Sequence, residues 1–106
     1  AMTQAAAVTR DLAVRYPFLG EARAARLIRL YGTRAAVILG AATNEADLGE
    51  HFGHGLTAAE VDYLVAYEWA RTAEDILWRR TKLGLRFTAD ETARLAAYLT
   101  ERTSIQ

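Results

Sequence analysis

The sequence predicts an all-α fold, a compact single domain of about six short helices with no sheet. Three observations carry this. Apolar residues recur at the i, i+3, i+4, i+7 spacing that places them on one helix face. Threonines followed three residues later by an acid precede several of those runs, as at a capped helix start. No segment alternates apolar and polar residues long enough to argue a strand. The nearest, LGLRF at Leu83 to Phe87, reads more simply as a connector.

The elements follow in order. Ala1-Met2 and the TQAAA after it read as a leader or expression scar, so residues 1–8 are expected to be disordered and residues 9–103 to form the domain. TRDLAVRYP is a helix of about two turns that Pro17 stops, because proline disfavours helical geometry at Tyr16. From Gly20 a second helix buries Ala24, Leu27, Ile28 and Tyr31, with Arg23, Arg26 and Arg29 mainly elsewhere around it, and Gly32 ends it. Thr33 is a candidate N-cap for a short helix to Ala42, with Ala35, Ile38 and Leu39 inward.

Gly49, Gly53 and Gly55 mark a connection around DLGEHFGHGL, in which one helical turn falls near Glu45 to Leu48. Thr57 with Glu60 is a candidate capping box, followed by Val61, Leu64, Val65 and Trp69 on one stripe. Thr72 with Asp75 starts the next helix, carrying Ile76 and Leu77 inward, and Gly84 sits just past its end, where a left-handed residue suits the C-terminus. Thr88 with Glu91 is the third box, opening a last helix with Thr92, Leu95, Ala96 and Leu99 on its apolar side.

Composition narrows the function classes. With 13 basic and 13 acidic residues, net charge is zero, which removes a whole-molecule pull toward nucleic acid or anionic lipid. Charge is nonetheless in blocks. Residues 9–34 carry six arginines and two acids, residues 45–75 eight acids and one arginine, and residues 79–86 four bases. Basic and acidic segments of this kind are expected to pair within the fold. There is no cysteine, so disulfides and thiolate metal sites are excluded. The longest apolar stretch, Ala35 to Ala42, is far short of the ~20 residues that span a bilayer.

Candidate sites are few. His51 and His54 lie three apart in the glycine-rich stretch and read as solvated loop residues, since zinc needs three or four ligands in set geometry. Glu74 and Asp75 are adjacent, and neighbours on a helix do not face each other, so they read as complements to a helix N-terminus. The only serine, Ser104, lies in the tail, and neither GxGxxG nor a phosphate loop occurs. No catalytic, cofactor-binding or metal-binding residue is assigned. What remains is a set of interdomain or anion contacts: Trp69, Arg71, Trp78, Arg79, Arg80 and Lys82. The tryptophans bracket a helix junction as packing anchors. Arg79, Arg80 and Lys82 either pair with Glu68, Glu74 or Asp75 or take an outside carboxylate or phosphate. Tyr63 and Tyr67, one helical turn apart, form a flank that either faces a neighbouring domain or is simply part-buried.

The string EWARTAEDILWRRTKLGL from Glu68 to Leu85 resembles the signature near the C-terminus of the aerobic, FAD-dependent glycerol-3-phosphate dehydrogenases. The resemblance extends to RYPFL at Arg15 to Leu19, LYGTRA at Leu30 to Ala35, DLGEHFGHGLT at Asp47 to Thr57 and AEVDYLV at Ala59 to Val65, and so covers most of residues 9–101. Tyr67 departs from it, where relatives often carry histidine before the Glu-Trp pair. The resemblance implies a parent enzyme that oxidises sn-glycerol 3-phosphate to dihydroxyacetone phosphate, with FAD as hydride acceptor and quinone as electron acceptor. It implies that this segment is a helical C-terminal domain packed on the N-terminal flavin and substrate domain of the same chain, with no FAD and no activity of its own. It further implies a cytoplasmic parent held peripherally at the cytoplasmic membrane. A nucleic-acid-binding module and a protein-interaction module are the alternatives. The former rests on the arginines of YPFLGEARAARLIRLYGTRAAVI and is weakened by neutral net charge.

Overall fold

The computed structural model describes residues 2–104, and these are essentially all-α. The chain divides into two compact units, Ala1–Gly49 and Glu50–Gln106.

In the first unit, α1 spans Gln4–Arg15, with Thr3 as N-cap accepting the Ala6 amide at 3.0 Å. Residues 4–8, expected to be a disordered leader, are therefore the start of a helix. The small alanines there have high helix propensity, and Thr3 supplies the start signal that a reading focused on apolar periodicity passes over. Pro17 ends α1 as expected and opens a 3₁₀ turn, Pro17–Leu19. Next come α2, Glu21–Tyr31, and α3, Ala35–Leu39. Between them Gly32–Arg34 is a 3₁₀ turn, so Thr33 lies inside a turn and makes no cap bond for α3. A further 3₁₀ turn, Glu45–Leu48, lies where one helical turn was expected, with the Asn44 side chain accepting from Asp47 N–H at 3.1 Å.

The buried side chains of this unit include Leu12, Tyr16, Leu19, Ala24, Leu27, Ala35, Leu39 and Leu48. Ile28, Tyr31 and Ile38 are only half-buried. The Tyr16 hydroxyl donates to the Gly40 carbonyl at 2.6 Å, satisfying a backbone acceptor beyond the end of α3. Arg23 forks onto Glu45 through contacts of 3.0 and 2.5 Å, joining a basic to an acidic block.

The second unit opens with a feature the sequence reading missed. β1, His51–Gly53, and β2, Leu56–Thr57, form an antiparallel hairpin with Gly53 opposite Leu56. The expectation of no sheet is corrected to this extent. Its two-residue loop is His54-Gly55, both at positive φ, +55° and +86°, as a tight hairpin turn of this hand requires. Strands this short show no alternation to read, and His-Gly is a weaker signal than Asn-Gly.

Next, α4 spans Ala58–Tyr67 and buries Ala58, Val61, Leu64 and Val65. Thr57 does not cap α4 through its side chain, which makes no cap hydrogen bond, and Glu60, its partner in the expected box, is buried. Thr57 belongs to β2, so its side chain is turned by the sheet rather than by the helix start. The chain is π-helical over Asp75–Arg80, and α5 spans Ala89–Ser104. Leu95 and Leu99 are the buried stripe of α5, while Ala96 is exposed. Ser104 is the last residue of that helix.

The Thr88–Glu91 box is present in both directions. Thr88 N–H donates to the Glu91 carboxylate at 2.8 Å and Glu91 N–H to the Thr88 hydroxyl at 3.1 Å. Gly53 permits the approach of Glu91, since a Cβ there would lie 2.8 Å from Glu91 Oε2. Replacing Thr88 by alanine is expected to cost about 1 kcal/mol, read as a lowered thermal midpoint of the α-helical signal. Two further ion pairs tie the acidic block to α5, Arg94 with Glu50 and Arg102 with Asp62, each at 3.2 Å. No helix among the described residues is long and apolar enough to cross a membrane.

Candidate functional site

The site is the junction between α4 and the π-helix, where most of the expected contact residues cluster in sequence. α4 ends because the Leu64 carbonyl accepts two amides, Glu68 N–H at 3.0 Å and Ala70 N–H at 3.1 Å. Closing the chain around one acceptor forces Trp69 between them into the left-handed region, φ +61°. Glycine or asparagine is usual at such a position, and a Cβ-bearing residue there costs on the order of 1 kcal/mol. Trp69 is 80% exposed, so it is not on the buried stripe of α4 as expected. Its neighbour Ala70 is buried. The backbone is thus pinned on both sides while the indole points to solvent.

The second half of the junction is held by Asp75. Its Oδ2 accepts Arg71 N–H at 2.9 Å and Thr72 N–H at 3.2 Å, while its own N–H donates to the Thr72 hydroxyl at 3.1 Å. This is the expected Thr72–Asp75 box with one additional donor. The Arg71 amide, chiefly, holds the Asp75 carboxyl below its ordinary range; burial opposes the shift, and Thr72 and the Arg79 charge add to it. Glu91 is lowered similarly, first by the Thr88 amide, with His54 contributing through a 3.2 Å contact.

Both carboxyls titrate lower in the folded than in the unfolded chain. Their contribution to stability is present above the ordinary carboxylate range, about pH 4, and is lost as pH falls through the lowered folded values. Melting temperature followed from neutral pH into that acid range is expected to drop, with Asp75→Asn and Glu91→Gln each flattening the drop. An unchanged slope in both variants would count against the cap geometry.

The π-helix places its bases on different duties. Arg80 is spent inside the unit, donating to the Glu68 carbonyl at 2.8 Å and pairing with its carboxylate at 3.4 Å. Arg79 reaches Asp75 only at 4.0 Å and its side chain is 77% exposed. Arg71 turns its guanidinium back to the Ala70 carbonyl at 3.3 Å. Lys82 is exposed and carries φ +62°, taking the left-handed role that the sequence reading gave to Gly84. Gly84 answers a different need: a Cβ there would run into the indole of Trp78. The Thr81 amide and hydroxyl both donate to Ile76 O, at 2.9 and 2.8 Å, closing the wide π-turn.

The structure therefore brings together Trp69, Arg79 and Arg80. With Glu68, Ala70 and Asp75 they line a small cleft of about 160 Å³. Trp78, half-exposed, lies instead over Gly84. The sequence reading raised the charge pairing and the Asp75 cap but missed the organising roles of Leu64 O and Gly84. Neither carries a side-chain signature in the sequence. Tyr63 is buried and Tyr67 exposed, their rings 5.1 Å apart. His51 accepts the Gly55 amide at 2.9 Å, and His54 packs near Phe87 as well as on Glu91.

Comparison with known proteins adds the context. Residues 2–103 match the family model of the C-terminal domain of alpha-glycerophosphate oxidase. The chain is 52% identical over 98 residues to a glycerol-3-phosphate dehydrogenase of Pseudomonas aeruginosa, covering 92% of this chain and 19% of that protein. It is 48% identical over 89 residues to the aerobic glycerol-3-phosphate dehydrogenase of Escherichia coli, covering 84% of this chain and 18% of that protein. It is 49% identical over 78 residues to a D-erythritol 1-phosphate dehydrogenase of Brucella abortus, covering 74% of this chain and 16% of that protein. The chain thus spans less than a fifth of the length of these relatives.

Proposed function

We propose, from the premise that this chain belongs to the family of the C-terminal domain of alpha-glycerophosphate oxidase, that it is the helical C-terminal domain of an FAD-dependent glycerol-3-phosphate dehydrogenase. The observation that carries the reading is the match of residues 2–103, joined to identities of 48–52% with two dehydrogenases of that substrate. The parent oxidises sn-glycerol 3-phosphate to dihydroxyacetone phosphate, passes the hydride to FAD and the electrons to quinone, and sits peripherally at the cytoplasmic membrane. This domain packs on the flavin and substrate portion of the same polypeptide. Trp69, Arg71, Trp78, Arg79, Arg80 and Lys82 are the set from which its contacts are drawn.

The described residues do not by themselves form a dinucleotide-binding fold. A dinucleotide fold needs a strand, a glycine-rich turn and a helix N-terminus in a parallel unit. The sheet among the described residues is an antiparallel hairpin of three and two residues. No step of the flavin reaction is therefore assigned to this chain's side chains. Identity to the erythritol 1-phosphate relative, 49%, lies between the 48% and 52% to the two glycerol 3-phosphate relatives, so identity over this segment does not choose between the two polyol phosphates.

The test is direct. The full-length polypeptide is expected to show flavin absorbance and to reduce a dye when given glycerol 3-phosphate. The 106-residue chain is expected to do neither. A flavin-free full-length protein, or a yellow preparation of the chain by itself, would overturn the reading.

A further inference from the structure

Trp69 is the most exposed aromatic residue described in the second unit, and its exposure is built rather than incidental. Two amides on Leu64 O pin the backbone around it, Ala70 beside it is buried, and Arg80 holds the carbonyl and carboxylate of Glu68 on the other side. The indole N–H has no hydrogen-bond partner among the described residues. A tryptophan held in a backbone conformation that favours glycine, with its ring in solvent, is a cost without a return inside this unit. Rigid aromatic residues that lose little freedom on association are what protein interfaces use as anchors. Beside it, Arg79 is the more exposed of the two guanidiniums lining the cleft, 77% against 44% for Arg80, and its contact with Asp75 is the looser, 4.0 Å against the 3.4 Å of Arg80 with Glu68.

We propose that the Trp69 edge of this cleft is the docking point for the flavin-bearing portion of the same polypeptide, with Trp69 entering an apolar hollow there and Arg79 taking a carboxylate at its margin. This rests on the functional reading above. The occupant is argued from chain length and charge. In the relatives more than four fifths of the polypeptide lies outside the matched segment, so a covalently attached partner is present at high effective concentration. Glu68 and Asp75 line the same cleft, which disfavours an anionic lipid surface and suits a protein face of mixed charge. Trp69 is the anchor rather than Trp78 because it is 80% exposed against 49%, and the Trp78 ring rests on Gly84.

The experiment is hydroxyl-radical footprinting read by mass spectrometry on the full-length protein and on the 106-residue chain, with Trp69→Gly as the variant. Trp69 oxidation is expected to fall severalfold in the full-length protein, while Val14 serves as an exposed reference. Equal oxidation of Trp69 in both overturns the proposal. Protection that arises only with anionic phospholipid vesicles overturns it in favour of lipid, and protection of the short chain that grows with its concentration overturns it in favour of a second copy.

Trp69→Gly separates docking from local packing, because glycine accepts φ +61° without strain. The short chain carrying it should melt no lower than the parent sequence. The full-length variant should release its C-terminal segment to protease about tenfold faster or more, the size expected for losing an interface anchor. A lowered melting temperature of the short chain, or unchanged release from the full-length protein, overturns the proposal. Flavin absorbance is read on the same full-length sample: flavin present with Trp69 unprotected sinks the docking alone, and flavin absent sinks the functional reading beneath it.

Discussion

Phe52→Ala is expected to be the most damaging single substitution, lowering stability by about 3–5 kcal/mol. Phe52 lies in β1 with no exposed surface, its ring 5.2 Å from that of Tyr98 on α5. Its carbonyl accepts from Arg94 Nη2 at 3.0 Å, so both backbone and ring tie the hairpin to α5. A domain of this size has roughly 5–15 kcal/mol in total, so the loss would consume a large part of it. The thermal midpoint, followed by circular dichroism, should fall by about 10 °C or more. Tyr98→Phe is the control. It keeps the ring but removes the 2.6 Å donation to Asp62, and should cost only about 1 kcal/mol. That hydrogen bond is also visible in acidity: burial first, then Asp62, pushes the Tyr98 phenol up to about 12. A Phe52→Ala loss no larger than the control's would show that the hairpin is peripheral to the core.

Gly84→Ala should destabilise by about 1–3 kcal/mol, the usual cost of forcing a group into filled space. The added Cβ would lie 2.5 Å from Cδ2 and Cζ2 of Trp78, so the indole must leave its seat. The sign is informative. Gly84 is not at positive φ, and at such positions alanine normally stabilises by about 0.4–1 kcal/mol through the unfolded chain. A stabilised Gly84→Ala would mean that Trp78 swings aside freely. The double variant with Trp78→Ala supplies the coupling: if the indole is the obstacle, Gly84→Ala should become neutral or stabilising in that background. Chemical denaturation of the four chains measures it.

The two predictions concern residues whose places the sequence disclosed unequally. The aromatic Phe52 was visible in DLGEHFGHGL, but its stretch read as a glycine-marked connection. Gly84 reads as a left-handed terminator, because a glycine just past a helix end usually is one. The terminator is Lys82, at φ +62°. In the candidate site, the Thr72–Asp75 box is legible in the sequence because it joins residues one helical turn apart, whereas Glu68 and Arg80, 12 residues apart, are brought together only by the junction that separates α4 from the π-helix. Trp69 reads as part of a buried stripe because Val65 to Trp69 continues the i+4 spacing. The stripe ends because α4 itself ends at Tyr67, when Leu64 O draws Glu68 and Ala70 together.

By itself, the sequence determined the helical character of the chain, most helix positions, two of three capping boxes and the family to which the chain belongs. The first three depend on neighbours within about four residues, where the 3.6-residue period and cap chemistry are written directly into side-chain order, and the family is carried by longer strings spread over residues 9–101. Tertiary structure decided the rest: the hairpin under α5, the burial of Glu60, the seating of Trp78 on Gly84 and the outward turn of Trp69. Each depends on atoms brought close by packing or on one carbonyl shared between amides. Residue order alone carries no local trace of that geometry.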